Sequence, residues 1–106
     1  MSDGLTVTVE DVLAAAQVVA GRCAAGSPPL VAAWVLVNRV KAAQAYREAN
    51  GRAHPEYGDG SLAGAAWTCR EVWRVDPQSF WRAAAALCAV LGGTEGDPTD
   101  GSTVWT

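Results

Sequence analysis

The residue types that could do chemistry are few in this sequence and widely spaced. The three cysteines, Cys23, Cys69 and Cys88, form no Cys-x-x-Cys pair, which favours buried or half-buried thiols in a reducing compartment. Two alternatives stay open: a Cys69–Cys88 disulfide, or a nucleophilic cysteine paired with His54, the single histidine of the chain. A zinc site is disfavoured because the ligands are so few, and no cofactor is predicted.

Carboxylates occur together in two turn-rich segments. His54, Glu56 and Asp59 lie in a loop punctuated by proline and glycine; they could hold a metal ion, although loop solvation and turn formation are the favoured interpretation. Asp97 precedes a proline and Asp100 precedes a glycine, and both pairs are strong turn signals. Neither segment predicts a catalytic site by itself.

The composition is that of one small globular domain, taken as residues 1–106. Half of the residues are apolar, 18% are charged and the net charge is -3, so the chain offers no basic stripe for nucleic acid and no polybasic membrane anchor. The longest apolar run, residues 30–37, is too short to cross a bilayer. The first residues lack the features of a secretory signal, so we expect a soluble chain made in the cytoplasm without a signal peptide.

A first helix is predicted from a start signal and an apolar stripe. Thr8 with an acid three places on, Asp11, can satisfy the free amides of a helix start. Behind it the apolar residues recur at helical spacing: Val9, Val12, Leu13, Ala16, Ala20 and Cys23. Ala20 is therefore predicted to face inward.

The second helix is predicted to be the central one. Ser27 would cap it and Pro28 suits its first turn, and it should run to about Asn50, with Gly51 as a left-handed stop. Its first half is apolar almost all round, which indicates burial on several sides.

The second half of the chain predicts shorter helices between irregular connections. Ser61 could begin a short helix, and residues 67–75 are ambiguous between a turn and an extended segment. Asp76-Pro77 starts a last helix that ends at Gly92-Gly93, with an apolar face made of Phe80, Trp81, Ala84, Leu87, Cys88 and Leu91. The predicted fold class is mainly α, a single small domain with long irregular connections.

Four stretches together carry a resemblance to a known family. They are residues 20–22, 32–40, 54–69 and 97–105, of which the Asn38-Arg39-Val40 ending and the closing Asp-Pro-Thr-x-Gly-Ser-Thr are the most specific. In this order, over about residues 12–105, they resemble the SleB-type cell wall hydrolases, a group that includes spore-cortex-lytic enzymes and relatives in phages and gene transfer agents. The resemblance implies a lysozyme-like helical fold that cuts the glycan strand of peptidoglycan, in some members by lytic transglycosylation.

The same resemblance implies a catalytic glutamate two residues before an arginine. Those positions are Ala20 and Arg22 here. Three further polar positions of the family pattern, an acid, a glutamine and a histidine, are Ala24, Ala66 and Val104 in this chain. The polar groups are gone while the packing residues around them persist, which predicts a cleft filled like a core.

Protonating a glycosidic oxygen needs an un-ionised carboxylic acid beside it, and alanine has no proton to give. Glu10 and Asp11 precede Ala20 by almost three turns, roughly 14 Å along a helix axis, which is too far to substitute. Glu71, close after Cys69, is the fallback acid.

The tryptophans are predicted to divide into two groups. Trp34 and Trp81 fall on inward helical faces and are expected in the core. Trp67, Trp73 and Trp105 lie in irregular segments, where they could line a former sugar groove, anchor a protein partner or simply pack. Together with Arg22 they are the predicted binding residues.

Three functions remain open from the sequence. The favoured one is a catalytically silent, hydrolase-like protein that serves as a structural or binding component, in a phage or gene-transfer-agent particle by family habit. Its partner would be a virion protein or another protein, with peptidoglycan glycan as a further candidate and neither nucleic acid nor membrane. The alternatives are an active glycan-strand hydrolase with a relocated acid, and a cytoplasmic protein-binding module, because a fold does not fix a function.

Overall fold

The computed structural model describes residues 8–69 and 76–105. This part of the chain forms four α-helices: α1, Val9–Ala24; α2, Pro29–Asn50; α3, Leu62–Thr68; and α4, Pro77–Leu91. A single bridge between His54 and Gly58 is the only β pairing in the described ranges. The protein is therefore a mainly α, single small domain, and its radius of gyration of 12.8 Å is close to the roughly 13 Å of a compact 100-residue domain.

The predicted ends of the long helices are confirmed at three points and wrong at one. At the start of α1 the Thr8 backbone N–H donates to Asp11 Oδ2 (3.0 Å) and the Asp11 N–H donates to Thr8 Oγ1 (3.2 Å). α2 ends at Asn50, and Gly51 takes the left-handed conformation with φ 70°. Ser27, however, does not cap α2.

The α2 cap is Pro28, in extended conformation and without a side-chain hydrogen bond. Pro29 follows it, and a proline drives the residue before it away from helical geometry. The helix boundary therefore moves one residue along the chain from the predicted cap, Ser27, which is itself buried.

The two shorter helices start where the sequence predicted. Ser61 Oγ accepts the Gly64 N–H at 2.9 Å and caps α3. Asp76 caps α4 by accepting the Ser79 N–H at 3.2 Å. In each case a short polar side chain satisfies an amide that the helix leaves free.

The core lies where α1 and α2 meet each other and the two shorter helices, since each of the long helices packs against all three others. Burial of the apolar half of α2 is confirmed, with Ala32, Ala33, Val35 and Leu36 fully enclosed. The core also includes Val19, Ala20, Val40, Leu62, Leu87 and Val90.

The predicted face of α1 is wrong at two residues. Val9 is 75% exposed and Leu13 42% exposed, whereas Ala15, Ala16, Val19 and Ala20 are buried. α1 carries apolar residues on nearly every side, so residue type alone does not mark its inner face.

The predicted face of α4 is wrong at Trp81 and Cys88, which are both exposed, Trp81 by 64%. The buried face is instead Ala83, Ala84, Leu87 and Val90. Trp81 lies outside this face and contacts Phe80 edge-on, with ring centres 5.5 Å apart.

Trp34 is also not fully in the core. It is half-buried and packs against the core from outside, with the Lys41 ammonium 5.1 Å from its ring centre.

Among the described helices, none is long and apolar enough to span a membrane.

Candidate functional site

Ala20, the position where the family resemblance implies a catalytic acid, lies at a pocket. The prediction that Ala20 is buried is confirmed, at 1% exposure. Beside it is a pocket of about 220 Å³, lined by Ala20, Cys23, Ala24, Pro29, Asp76, Ser79, Arg82 and Ala83. Ala20 thus belongs to the core, as expected of a filled cleft, but the space beside it is not filled.

Two of the other matched positions do not line this pocket. Ala66 is buried on α3, at 6% exposure, and Val104 is 63% exposed. Val104 is thus a surface residue, and the idea that it fills the former cleft is wrong. The family resemblance implies a histidine at this position, and the valine found here exposes an apolar side chain to water.

Asp76 is the carboxylate that the described lining brings to the pocket. The Ser79 hydroxyl donates to Asp76 Oδ1 at 2.6 Å, and the Ser79 N–H donates to Oδ2 at 3.2 Å. These hydrogen bonds, first that of the Ser79 side chain, lower the pKa of Asp76, because they stabilise the charged form. Asp76 is therefore ionised near neutral pH and is unsuited to act as a general acid.

Cys23 is the one cysteine in the described lining of the pocket, and its thiol is partly buried. Burial raises the pKa of the Cys23 thiol, so less of the thiolate is present than in an exposed cysteine. All three cysteines are free thiols, and the alternative of a Cys69–Cys88 disulfide is not formed.

His54 is the residue that a nucleophilic cysteine would need as its partner, but its hydrogen bonds are with its own loop. Its Nδ1 accepts the N–H groups of Glu56 (2.9 Å) and Tyr57 (3.1 Å). The ring stacks on Tyr57 at 4.5 Å, and Tyr46 meets it edge-on at 4.8 Å. These contacts fix the imidazole as a loop anchor.

Asp59 has a similar local role. Its Oδ1 accepts the N–H and the hydroxyl of Ser61, at 2.9 and 2.6 Å, and the hydroxyl contact in particular lowers the pKa of Asp59. Within residues 8–69 and 76–105 no group of three His, Cys, Asp or Glu side chains could hold a metal ion. The observed contacts of His54 and Asp59 are those of turn-forming residues.

The two most specific sequence motifs meet at Asn38. Its side-chain amide donates to Asp97 Oδ2 (3.1 Å), Thr99 Oγ1 (3.2 Å) and the Ser102 carbonyl (3.0 Å). Asp97 in turn accepts the N–H and the hydroxyl of Thr99, at 2.7 and 2.6 Å, and the N–H of Gly101 at 2.9 Å. The prediction that Asp97 fixes a turn is confirmed, and the turn is bound to α2 through Asn38.

We call residues 97–105 the C-terminal strap. Near its end, Arg39 Nε donates to the Thr103 carbonyl at 2.8 Å, and Trp105 Nε1 donates to the Ala32 carbonyl at 3.2 Å. The guanidinium carbons of Arg22 and Arg39 lie 4.4 and 4.1 Å from the Trp105 ring centre. Arg22 and Trp105, two predicted binding residues, are thus brought together and bind each other.

Trp67 is a different kind of residue from Trp105. It is 81% exposed and borders an open surface pocket of about 400 Å³ together with Pro55, Glu56 and Thr68. An indole this exposed is available to a partner. Trp73 and the fallback acid Glu71 lie outside the described residues.

Sequence reasoning missed the rim of the Ala20 pocket. Asp76 and the adjacent proline predict a helix start, which is confirmed, but no local pattern indicates that the first turns of α4 lie beside Ala20. Arg82 and Ser79 follow from the register of that helix. Only the packing of α1 against α4 places Ser79 and Arg82 at the Ala20 pocket.

Comparison with known proteins gives one match. A family model described as "Domain of unknown function (DUF7742)" matches residues 6–92. No curated protein and no solved structure matches the chain.

Proposed function

The chain belongs to the DUF7742 family, and we propose that it is a catalytically silent relative of SleB-type cell wall hydrolases that acts as a structural or binding component. The proposal joins the sequence resemblance to one observation. The pocket beside Ala20 is present, but its described lining contains no carboxylic acid that is protonated near neutral pH.

The chemistry of glycan cleavage explains why this observation supports the proposal. A general acid contributes roughly 10² to 10⁴ in rate, and the acid must carry its proton when the substrate binds. Asp76 is held ionised by Ser79, and alanine at positions 20 and 24 offers no group. The pocket, at about 220 Å³, is also smaller than the roughly 300–1,000 Å³ of ordinary ligand pockets.

A zymogram with purified peptidoglycan tests the loss of activity. We expect no clearing by the parent protein between mildly acid and neutral pH. Clearing by the parent that disappears in a Glu71→Gln variant would establish the alternative, an active hydrolase with a relocated acid. A Glu95→Gln variant, which removes a carboxylate from an exposed position of the same chain, is the matched control.

The binding part of the proposal rests on exposed aromatic surface. Trp67 and Trp81 are 81% and 64% exposed, and tryptophan is enriched among the residues that dominate protein interfaces. The proposed setting is a phage or gene-transfer-agent particle, and this setting comes from the family resemblance alone.

The partner is tested by mass spectrometry of purified particles and by pull-down with the parent and a Trp67→Ala variant. Presence of the chain in particles at a fixed copy number supports the structural role. Absence from particles, together with capture of a cellular protein that the variant fails to capture, supports the cytoplasmic binding module instead.

A further inference from the structure

We propose that the C-terminal strap opens and closes as one unit on the folded four-helix domain, and that its opening uncovers Arg22 and Arg39. This inference is independent of the proposed function. It starts from the way the strap is held.

The strap is attached by side chains rather than by helix packing. From the domain side, Asn38, Arg39 and Tyr57 contact the strap up to Thr103, and Arg22 and the Ala32 carbonyl contact Trp105. Within the strap, the amides of Thr99 and Gly101 donate to Asp97. The strap therefore keeps its own turn when it is released, and it loses only the contacts that cross to the domain.

The connection to α4 leaves the strap free to move. Residues 92–96 are all exposed, and Gly93 has a positive φ of 76°. Thr94 is the last of them tied to the helix, through bonds from its N–H and hydroxyl to the Ala89 carbonyl at 3.1 Å each. Glu95 and Gly96, which follow, form the hinge.

The attachments at the two ends of the strap depend on each other. Asn38 holds its beginning and the Trp105 ring holds its end, while Arg39 joins the Thr103 carbonyl to that ring. An amide with two N–H hydrogens serves three acceptors at Asn38, so a small shift of the strap weakens several bonds together. Among the strap residues, Trp105 packs against the apolar core, and the other contacts described above are linked polar ones. Elements with few buried apolar contacts open as cooperative local units.

Opening changes the surroundings of two cations. Arg22 at the end of α1 and Arg39 on α2 both lie over the Trp105 ring, where the electron-rich face stabilises their charges. Both arginines are half-buried with the ring in place, and the side of each guanidinium group that faces the ring becomes exposed when the ring leaves. Their reactivity toward a dicarbonyl reagent is therefore a direct report of the open strap.

The experiment combines hydrogen exchange with arginine labelling by phenylglyoxal, both read by peptide mass spectrometry on the full chain. In the parent, the strap amides should exchange at least tenfold faster than the α2 amides around Leu36 and Val40. Asn38→Leu, whose side chain is similar in size but has no donors, should raise strap exchange and the labelling of Arg22 and Arg39 at least threefold.

The internal controls are exposed arginines of the same chain, Arg47, Arg52 and Arg82, whose labelling should stay unchanged. Val104→Ala, at a 63% exposed strap residue, should leave both readouts at the parent level. Asp97→Asn is a second opening variant that does not touch either arginine, and it takes the place of Asn38→Leu if that variant does not fold.

Two results would overturn the proposal. The first is strap amides that exchange as slowly as the α2 amides in the parent, which means that the strap opens only when the domain unfolds. The second is an opening variant in which strap exchange accelerates but the labelling of Arg22 and Arg39 does not rise.

Discussion

Ala20 borders a space of about 220 Å³, and this space bears on what a glutamate would do there. The carboxyl group would have room, so the overpacking cost of a filled core does not apply. The carboxyl group would still lie next to a position, Ala20, that is 1% exposed in the parent. Burying a carboxyl with incomplete hydrogen bonding costs about 1–3 kcal/mol.

We therefore predict that Ala20→Glu lowers the melting temperature by about 4–24 °C, at roughly 4–8 °C per kcal/mol for a domain of this size, and brings no lysis. The control is Ala85→Glu, at an exposed position of α4, which should change stability by less than about 0.5 kcal/mol. A thermal melt and a peptidoglycan zymogram make the comparison, with the triple variant that also carries Ala66→Gln and Val104→His. If the single variant melts like the parent and clears peptidoglycan, the chain is one substitution away from an enzyme.

Asp97 gives a prediction about pH. Burial raises its pKa, but the hydrogen bonds from Thr99, Asn38 and Gly101 outweigh that effect and lower the pKa from 3.8 to about 2. A carboxyl whose pKa is lower in the folded state stabilises the fold above its unfolded pKa, and the contribution is lost as the pH falls through the folded value. Its stabilisation should thus be complete above about pH 5 and disappear between about pH 4 and pH 2.

The measurement is the urea midpoint of the parent and of Asp97→Asn as a function of pH. Asparagine turns an amide N–H toward groups that donate to Asp97 in the parent, so the variant should be less stable at pH 7. The difference in urea midpoint between the two proteins should shrink toward pH 2. A gap between the two proteins that stays constant from pH 7 to pH 2 would show that the Asp97 charge does not contribute.

At the scale of the helices, the start of α1 tests how much a local signal contributes. Thr8 and Asp11 each satisfy a backbone amide of the other residue, and losing such a cap costs about 0.5–2 kcal/mol. Thr8→Ala should lower the free energy of unfolding by about 1 kcal/mol. Val9→Ala, one residue further along and 75% exposed, should change it by less than about 0.5 kcal/mol. Urea unfolding compares the two, and equal losses would mean that Val9 packs against something the fold does not show.

The contrast between these neighbours also explains which elements could be predicted from sequence. Helix starts at Thr8, Ser61 and Asp76 depend on residues within one turn, so the printed sequence contains the whole signal. Helix faces depend on what lies opposite. Because α1 and α4 are rich in alanine, the apolar pattern allows several faces. It predicts Trp81 inward, whereas the structure buries Ala83, Ala84, Leu87 and Val90 of α4 instead.

At the scale of the whole molecule, the candidate site depends on contacts that no local pattern contains. Asn38 and Asp97 are 59 residues apart, and Trp105 reaches the Ala32 carbonyl across 73. The sequence singled out both motifs through a family resemblance, but it gave no physical reason for them. The structure supplies one, since the amide of Asn38 holds the turn of the strap, and the strap places Trp105 over Arg22 and Arg39.

The core itself provides the last prediction, because α1 and α2 share one continuous set of buried side chains with α3 and α4. Leu36 is fully enclosed in that set, whereas Leu13 is 42% exposed. Truncating a buried leucine to alanine costs about 2–5 kcal/mol, the lost transfer energy plus the cavity, against a total stability of some 5–15 kcal/mol. Leu36→Ala should therefore lower the urea midpoint severely or unfold the chain, while Leu13→Ala should cost less than about 1 kcal/mol because alanine and leucine are similar in helix propensity.

Circular dichroism at far- and near-ultraviolet wavelengths should show coincident transitions in both variants, as expected of a single cooperative domain. Equal costs for the two leucines would contradict the assignment of the inner face of α1, and separate transitions would contradict a single core.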